Sequence, residues 1–250
     1  MEGVRNPPEV MPFVAHLAEL RRRLFVSVAA ALLCSIAAFF FYMPIVQYLI
    51  RPFTSLPRAA GGPVLYATAL FEGFLVKLRV SLIAGVILSS PVHLFNLLRF
   101  LLPALTGRER RIVLSTLVAS LLLVLAGFGF GYYELIPVMI RVLTGAGMLP
   151  AAVGPLLGFQ GNLFLLLNFL LAVLAVFQLP LVLEVLMILG VVKRKAVLRA
   201  SRFVVVGIFI LAAVITPSPD WVSQLAVAAP LTGLFFLAIL VARVCRFGDG

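Results

Sequence analysis

The sequence predicts an all-α polytopic membrane protein with six transmembrane helices and both termini in the cytoplasm. Three observations carry this prediction. Of the 250 residues, 63% are hydrophobic and only 12% are charged, and the mean hydropathy is +1.19, values that a soluble domain of this length could not sustain. Apolar segments long enough to cross a bilayer recur along the chain. The basic residues gather in alternate connections between these segments.

Each span follows from the length and the flanks of its apolar segment. A helix needs about 20 apolar residues to cross the hydrocarbon core, and four segments reach this length: 24–43, 74–98, 112–134 and 163–190. The stretch 203–242 is too long for one helix, and the prolines of TPSPDW divide it into spans 203–216 and 222–242. The fifth span would cover only about 21 Å, so we expect a thinned membrane or flanking residues to complete it.

Two connections and three prolines shape this single transmembrane domain of residues 1–250. The connections 44–70 and 135–160 are apolar and rich in proline, so we expect short helices at the interface that form an outer cap. Prolines within or near spans remove a backbone hydrogen bond and favour a bend; they are Pro91, Pro180 and Pro230. Bent and partly short helices predict a concave bundle.

The positions of Lys and Arg set the orientation. The N-terminal segment, the 99–111 and 191–202 loops and the C-terminal tail hold 15 of the 20 basic residues, so this side and both termini are expected to be cytoplasmic. A net charge of +11 in a soluble protein would suggest nucleic acid as the partner. Here no soluble domain displays a basic face, so we expect anionic lipids as partners and no nucleic acid.

The sequence offers little for catalysis. It has no phosphate-binding G-x-x-x-x-G-K-[ST] motif, and its two histidines, His16 and His93, are too far apart in sequence to suggest a metal site. We therefore expect no catalytic residue, no metal and no cofactor. A Ser–His dyad stays open because Ser81, Ser89 and Ser90 lie near His93, although helix packing by small polar residues is the favoured interpretation.

Two of the nine acidic residues stand out by their position. Glu19 in HLAELRRRL and Glu109 in GRERR are each surrounded by arginines and each precede a helix that enters the bilayer. The simpler interpretation is local pairing, such as Glu19 with Arg22 or Arg23 at helical spacing. The alternative is that the two carboxylates accept a cationic ligand, because a carboxylate receives a guanidinium as a planar two-point pair. The chemistry alone favours local pairing.

A resemblance changes that balance. HLAELRRRL (16–24), LIRPF (49–53), the stretch 70–111 that ends in PALTGRERR, and ITPSPDWVSQ (215–224) together resemble the TatC family. This family supplies the multispanning receptor subunit of the twin-arginine protein translocase. The motifs occur in the family's order and cover nearly the whole chain.

The resemblance implies a receptor for export signals that carry consecutive arginines, and a scaffold for proton-gradient-driven transport of folded proteins. On the matching positions, Glu19 and Glu109 would receive the arginine pair at the cytoplasmic face. The implied neighbours in that site are Phe100, His16, Leu17, Leu20 and Arg21, and the implied structural residues of the outer loops are Pro52 and Asp220. Implied partners are single-span subunits of the TatA and TatB type in an oligomeric complex, and the implied location is the bacterial cytoplasmic (inner) membrane.

The fourth span departs from the family pattern. FQLP (177–180) places Gln178 where the family often has an intramembrane glutamate, and an amide cannot titrate. Glu184 does not simply substitute, because six residues of helix place it about 120° away. These groups, with Asn162 and Asn168, are the few that could line a path for a small-solute transporter or channel, which is the alternative function. An intramembrane enzyme ranks third.

Overall fold

The structure is a computed structural model that describes residues 13–55, 65–101, 107–144, 157–188, 190–216 and 221–244. Most of these residues are helical. The helices are α1 (Phe13–Phe40), α2 (Tyr42–Ile50), α3 (Glu72–Leu88), α4 (Ser90–Leu101), α5 (Gly107–Phe130), α6 (Ile136–Thr144), α7 (Phe159–Phe177), α8 (Leu179–Ile188), α9 (Arg194–Ile215) and α10 (Trp221–Val244). A 3₁₀ turn covers Arg51–Ser55, a π-helical segment covers Gly131–Leu135, and two short strands are β1 (Leu65–Tyr66) and β2 (Leu157–Gly158).

Helices α1 and α3 pack closely through small residues. A Cβ atom added to Gly85 of α3 would lie 2.6 Å from the Cα atom of Ser35 in α1, so the two backbones approach where only glycine fits. The Ser35 hydroxyl is buried there and donates to the carbonyl of Ala31 at 2.7 Å. This packing holds α1 along α3 and, further on, along α4.

The second predicted span, 74–98, is two helices. The axes of α3 and α4 differ by 48° at Ser89, because Pro91 has no N–H to continue the backbone ladder. The Ser89 hydroxyl donates to the carbonyl of Gly85 at 2.7 Å, which also accepts the Ser89 N–H, and such a bond from a serine side chain to the preceding turn often accompanies a helix bend. The bend expected at Pro91 is therefore present, and it is sharp enough to divide the span.

Helix α7 lies at the centre of the bundle. Half of the most apolar part of the 159–188 span, which α7 begins, is buried inside the protein. The corresponding share is 11% for the spans of α1 and α9. The α5 span runs through the π-helical segment into α6, so that residues 115–144 form one span. Helix α7 ends beside Gln178, and α8 follows at once with Pro180 in its first turn. The helix α10 runs through Pro230 without a break.

The fifth helix is longer than its apolar segment. Helix α9 has 22 residues, from Arg194 to Ile215, and therefore measures about 33 Å. The expectation that flanking residues complete the short span 203–216 fits this helix, whose first two turns are basic. The turn before α9 needs Gly190, whose φ of 70° lies in the left-handed region.

The connections predicted as an outer cap contact each other. Strands β1 and β2 pair in parallel, with Leu65 opposite Leu157, and the 3₁₀ turn that contains Pro52 packs against α6. The hydroxyl of Tyr132 donates to the carbonyl of Tyr48, and their rings stack with centroids 4.4 Å apart. Burial and a hydrogen bond to a neighbouring tyrosine raise the pKa of Tyr48 to about 12, so this hydroxyl stays protonated at physiological pH.

The outer surface of the helices is apolar. On α1 alone, Phe25 is 75% exposed, Leu33 68% and Phe40 80%, which is a surface for lipid and not for water. Five helical spans in the described residues are long and apolar enough to cross a membrane, and the bent pair α3–α4 makes a sixth. The predicted fold class, an all-α membrane protein with six bent and partly short helices, is confirmed, whereas the orientation of the termini stays a prediction.

Candidate functional site

One end of the bundle brings together the start of α1, the end of α4 and the start of α5. Helix α4 packs against both α1 and α5 and so lies between them. The side-chain amide of Asn96 in α4 donates to the hydroxyl of Ser27 in α1 at 2.9 Å. Asn96 is only 8% exposed, so its amide needs this partner, and the bond fixes the two helices relative to each other.

Glu19 lies at this end, in an ion pair within α1. The guanidinium of Arg23 donates to one oxygen of the Glu19 carboxylate through Nε, at 3.0 Å, and through Nη2. Both side chains are partly buried, Glu19 at 23% exposure and Arg23 at 19%. The local pairing considered for Glu19 is therefore present in the structure, at the i,i+4 spacing in which the acid precedes the base.

The ion pair lines a cavity of about 230 Å³ between α1 and α4. Its walls combine charged and apolar side chains: Glu19, Arg22, Arg23, Val26, Phe95, Asn96 and Arg99. Arg99 lies over the ring of Phe95, with its Cζ atom 5.5 Å from the ring centroid. Among the described residues of its wall, three guanidinium groups stand against one carboxylate, so this part of the wall carries an excess of positive charge.

The other predicted site residues are described to different extents. Leu17 and Leu20 are 47% and 42% exposed on α1, Arg21 is exposed beside them, and Phe100 is half-buried on α4. The part of the chain that the structure describes does not include the side chain of His16 in α1 or the side chain of Glu109 in the first turn of α5. It also does not include Asp220. The placement of Glu19 and Glu109 in one site therefore stays a prediction.

Sequence reasoning missed the α4 wall of the cavity. Phe95, Asn96 and Arg99 are spaced so that they share one helix face, and this spacing is visible in FNLLR. What the sequence does not reveal is that this face turns toward Glu19, because it depends on the 48° bend between α3 and α4.

Several polar groups within the spans have hydrogen-bond partners among the described residues. The hydroxyl of Ser120 in α5 donates to the side-chain oxygen of Gln178 at 3.1 Å, and the Gln178 amide is 3.5 Å from the Ser120 carbonyl. Arg79 donates to Asn168 at 2.8 Å, and Asn162 donates to the carbonyl that starts its own helix. Glu184 is half-buried on α8. These contacts tie helices together and form no continuous polar path among the described residues.

The Ser–His contact is also structural. The Ser89 oxygen lies 2.8 Å from Nε2 of His93, and the carbonyls of Gly85 and Val86 are further acceptors for its hydroxyl at 2.7 and 3.2 Å. Ser89 is also only 1% exposed, so no substrate could reach it. Among the described residues there is no cluster of three or more metal-ligating side chains.

Comparisons with known proteins point in one direction. The model of one family, described as Sec-independent protein translocase protein (TatC), matches residues 15–230. A relative of that description from Synechocystis sp. is 34% identical over 94% of this chain and 89% of its own length, and one from Aquifex aeolicus is 31% identical over 94% and 95%. A crystal structure of the twin arginine translocase receptor TatC in DDM is 30% identical, with a TM-score of 0.77 over 90% of this chain and 98% of that chain.

Proposed function

The chain belongs to the TatC family, and from that premise we propose that it binds the consecutive arginines of an export signal at Glu19 and Glu109. It is a multi-pass component of the bacterial Sec-independent, or twin-arginine, protein translocase, and this family is not an enzyme class. The receptor site would lie at the basic end of the bundle, which the distribution of Lys and Arg predicts to be cytoplasmic.

One observation carries the proposal. Glu19 is a partly buried carboxylate on the wall of a cavity, and Arg23, which pairs with it, belongs to its own helix. Arg23 donates through Nε and Nη2 to one carboxylate oxygen. A guanidinium that donates to both oxygens in the planar two-point geometry binds a carboxylate more strongly. An incoming arginine can therefore displace Arg23.

The surrounding arginines support selectivity. The excess positive charge of the cavity repels a peptide that is merely basic. Binding therefore requires a group whose hydrogen-bond geometry offsets this repulsion. The planar two-point contact of a guanidinium does so, whereas the ammonium group of a lysine offers only a point charge. Exposed Leu17 and Leu20 would contact the apolar part of the signal next to its arginines.

The remaining parts of the proposal concern the assembly. We infer partner subunits of the TatA and TatB type, an oligomeric complex, contact of the basic end with anionic lipids, and transport driven by the proton gradient. Because Gln178 is neutral and hydrogen-bonded to Ser120, no proton-dependent step is assigned to this position in the fourth span. The small-solute transporter, the alternative from the sequence, has no support in the polar contacts or in the family.

Binding of a labelled signal peptide to the purified protein in nanodiscs tests the proposal. The wild type, E19Q, E109Q and the double variant are compared, each with a twin-arginine peptide and with the same peptide carrying two lysines. We expect each substitution to weaken binding of the arginine peptide at least about tenfold, and the lysine peptide to bind weakly to every form.

The matched control is E134Q. Glu134 is an exposed acid in the π-helical segment at the other end of the α5 span, about 37 Å along the helix from Glu109, so its substitution should leave binding unchanged. Equal binding of the arginine and lysine peptides to all forms would contradict the receptor assignment.

A further inference from the structure

The arginine-rich cavity also has the properties of an anion site. We propose that Arg22, Arg23 and Arg99 bind the phosphate of an anionic phospholipid headgroup, and that this binding draws Arg23 away from Glu19 in favour of the signal's arginine. The proposal rests on the proposed function for its second half only. Its first half, a headgroup site between α1 and α4, stands on the cavity itself.

The charges of the cavity favour a phosphate. Three guanidinium groups line one space of about 230 Å³, and guanidinium is the side chain best matched to the oxygens of a phosphate. The volume is several times the roughly 30 Å³ that one water occupies in the liquid, so it can hold a polyatomic anion. Asn96, held in place by its bond to Ser27, keeps the α4 wall of the cavity at a fixed distance from α1.

The surroundings of the cavity point to a lipid as the source of the phosphate. Leu24 and Phe25 follow Arg23 directly and are 61% and 75% exposed on the apolar surface of α1, so the arginines lie where hydrocarbon gives way to headgroups. Val26 and Phe95 add an apolar part to the cavity wall. A phosphate that carries acyl chains matches this combination of charge and apolar surface, whereas a free phosphate uses only the charge.

Electrostatics determine the sign of the coupling between lipid and signal. When Arg23 leaves Glu19 to make room for an incoming arginine, its charge loses its partner, and a phosphate in the cavity supplies another. Conversely, an arginine on Glu19 takes the place of Arg23, whose guanidinium can then bind the phosphate. Each ligand therefore raises the affinity of the other, and the two factors must be equal.

The first readout is lipid binding without any peptide. Purified protein in phosphatidylcholine nanodiscs doped with phosphatidylglycerol is analysed by native mass spectrometry after release from the disc. We expect the wild type to retain phosphatidylglycerol and the R22Q/R99Q variant to lose most of it. The control is R194Q/R199Q, which removes two basic residues of α9 that do not line the cavity. Equal retention by the wild type and R22Q/R99Q would overturn the headgroup site.

The second readout is the affinity for the twin-arginine peptide in discs with and without phosphatidylglycerol. We expect the anionic lipid to tighten binding to the wild type at least about fivefold more than binding to R22Q/R99Q, whereas R194Q/R199Q behaves as the wild type. The general attraction of a basic peptide to an anionic surface is common to all three proteins. It therefore cancels when their lipid effects are compared. An identical lipid effect in all three proteins would overturn the coupling.

Two further outcomes separate the lipid assignment from the receptor proposal. Inorganic phosphate added to phosphatidylcholine discs should not reproduce the effect of phosphatidylglycerol, and full reproduction would overturn the assignment to a lipid. If the peptide fails to bind in any disc while the wild type and R194Q/R199Q, but not R22Q/R99Q, retain phosphatidylglycerol, the receptor proposal and the coupling fall, and the headgroup site is supported.

Discussion

The contact between α1 and α3 sets the position of Glu19, and Gly85→Ala tests it. The added Cβ would lie 2.0 Å from Oγ of Ser35 and 2.5 and 2.6 Å from its backbone N and Cα atoms, where ordinary contact requires 3.4–4 Å. Rotation of the Ser35 side chain can clear Oγ but not the backbone atoms, so one helix must move by about 1 Å. Overpacking of this kind costs about 1–3 kcal/mol, and we take the upper end because the backbone contact remains.

Helix propensity acts in the other direction. Alanine in place of a helical glycine gains about 0.8–1.0 kcal/mol, which leaves a net loss of about 2 kcal/mol for Gly85→Ala. At about 2–4 °C per kcal/mol for a chain of this size, the melting temperature in detergent should fall by about 4–8 °C. The matched control is Gly207→Ala in α9, where a Cβ would have nothing within 4 Å, and its melting temperature should stay level or rise.

A second-site variant sharpens the test. Because the obstacle is the Ser35 backbone, Ser35→Gly should not rescue Gly85→Ala. Since α1 carries Glu19 and the displaced helix shifts the cavity against α4, peptide binding should weaken together with stability. A Gly85→Ala protein that melts at or above the wild type, or that Ser35→Gly restores, would refute the reasoning.

Three further predictions concern single side chains. Gln178→Leu removes the interhelical hydrogen bonds to α5. The loss of stability should be near 0.6 kcal/mol, while export in cells should fall more than membrane insertion does. Normal export would count against a role for this amide. Tyr132→Phe loses its bond to the α2 backbone and should destabilise the protein by about 1 kcal/mol in thermal unfolding; an unchanged melting curve would show that the bond contributes nothing. Arg23→Gln removes a competitor for Glu19, so the arginine peptide should bind about twofold more tightly in phosphatidylcholine discs. Weaker binding there would contradict a displaceable pair.

Much of the fold follows from residue patterns that act locally. Span lengths, the division of 203–242 and the bend at Pro91 depend on apolar runs and on a missing N–H, and each is readable along the chain. Helix α9 extends beyond the apolar stretch 203–216 because Arg and Lys are good helix formers, and it starts at Arg194.

The features that could not be predicted depend on contacts between distant segments. Strand pairing of Leu65 with Leu157 joins residues 92 positions apart, and nothing in either dipeptide indicates a partner. The pair of Glu19 and Arg23 is readable from spacing. The cavity they line is not, because Arg99 reaches it only through the bend that redirects α4.

A double-mutant cycle between the protein and the peptide tests the central claim most directly. Each arginine of the signal is replaced in turn by glutamine, and its binding to the wild type, E19Q and E109Q is measured by calorimetry in nanodiscs. We predict that each carboxylate couples to one of the two arginines by at least about 1 kcal/mol. Effects that add within about 0.3–0.5 kcal/mol for every pair would contradict direct recognition of the arginines by Glu19 and Glu109.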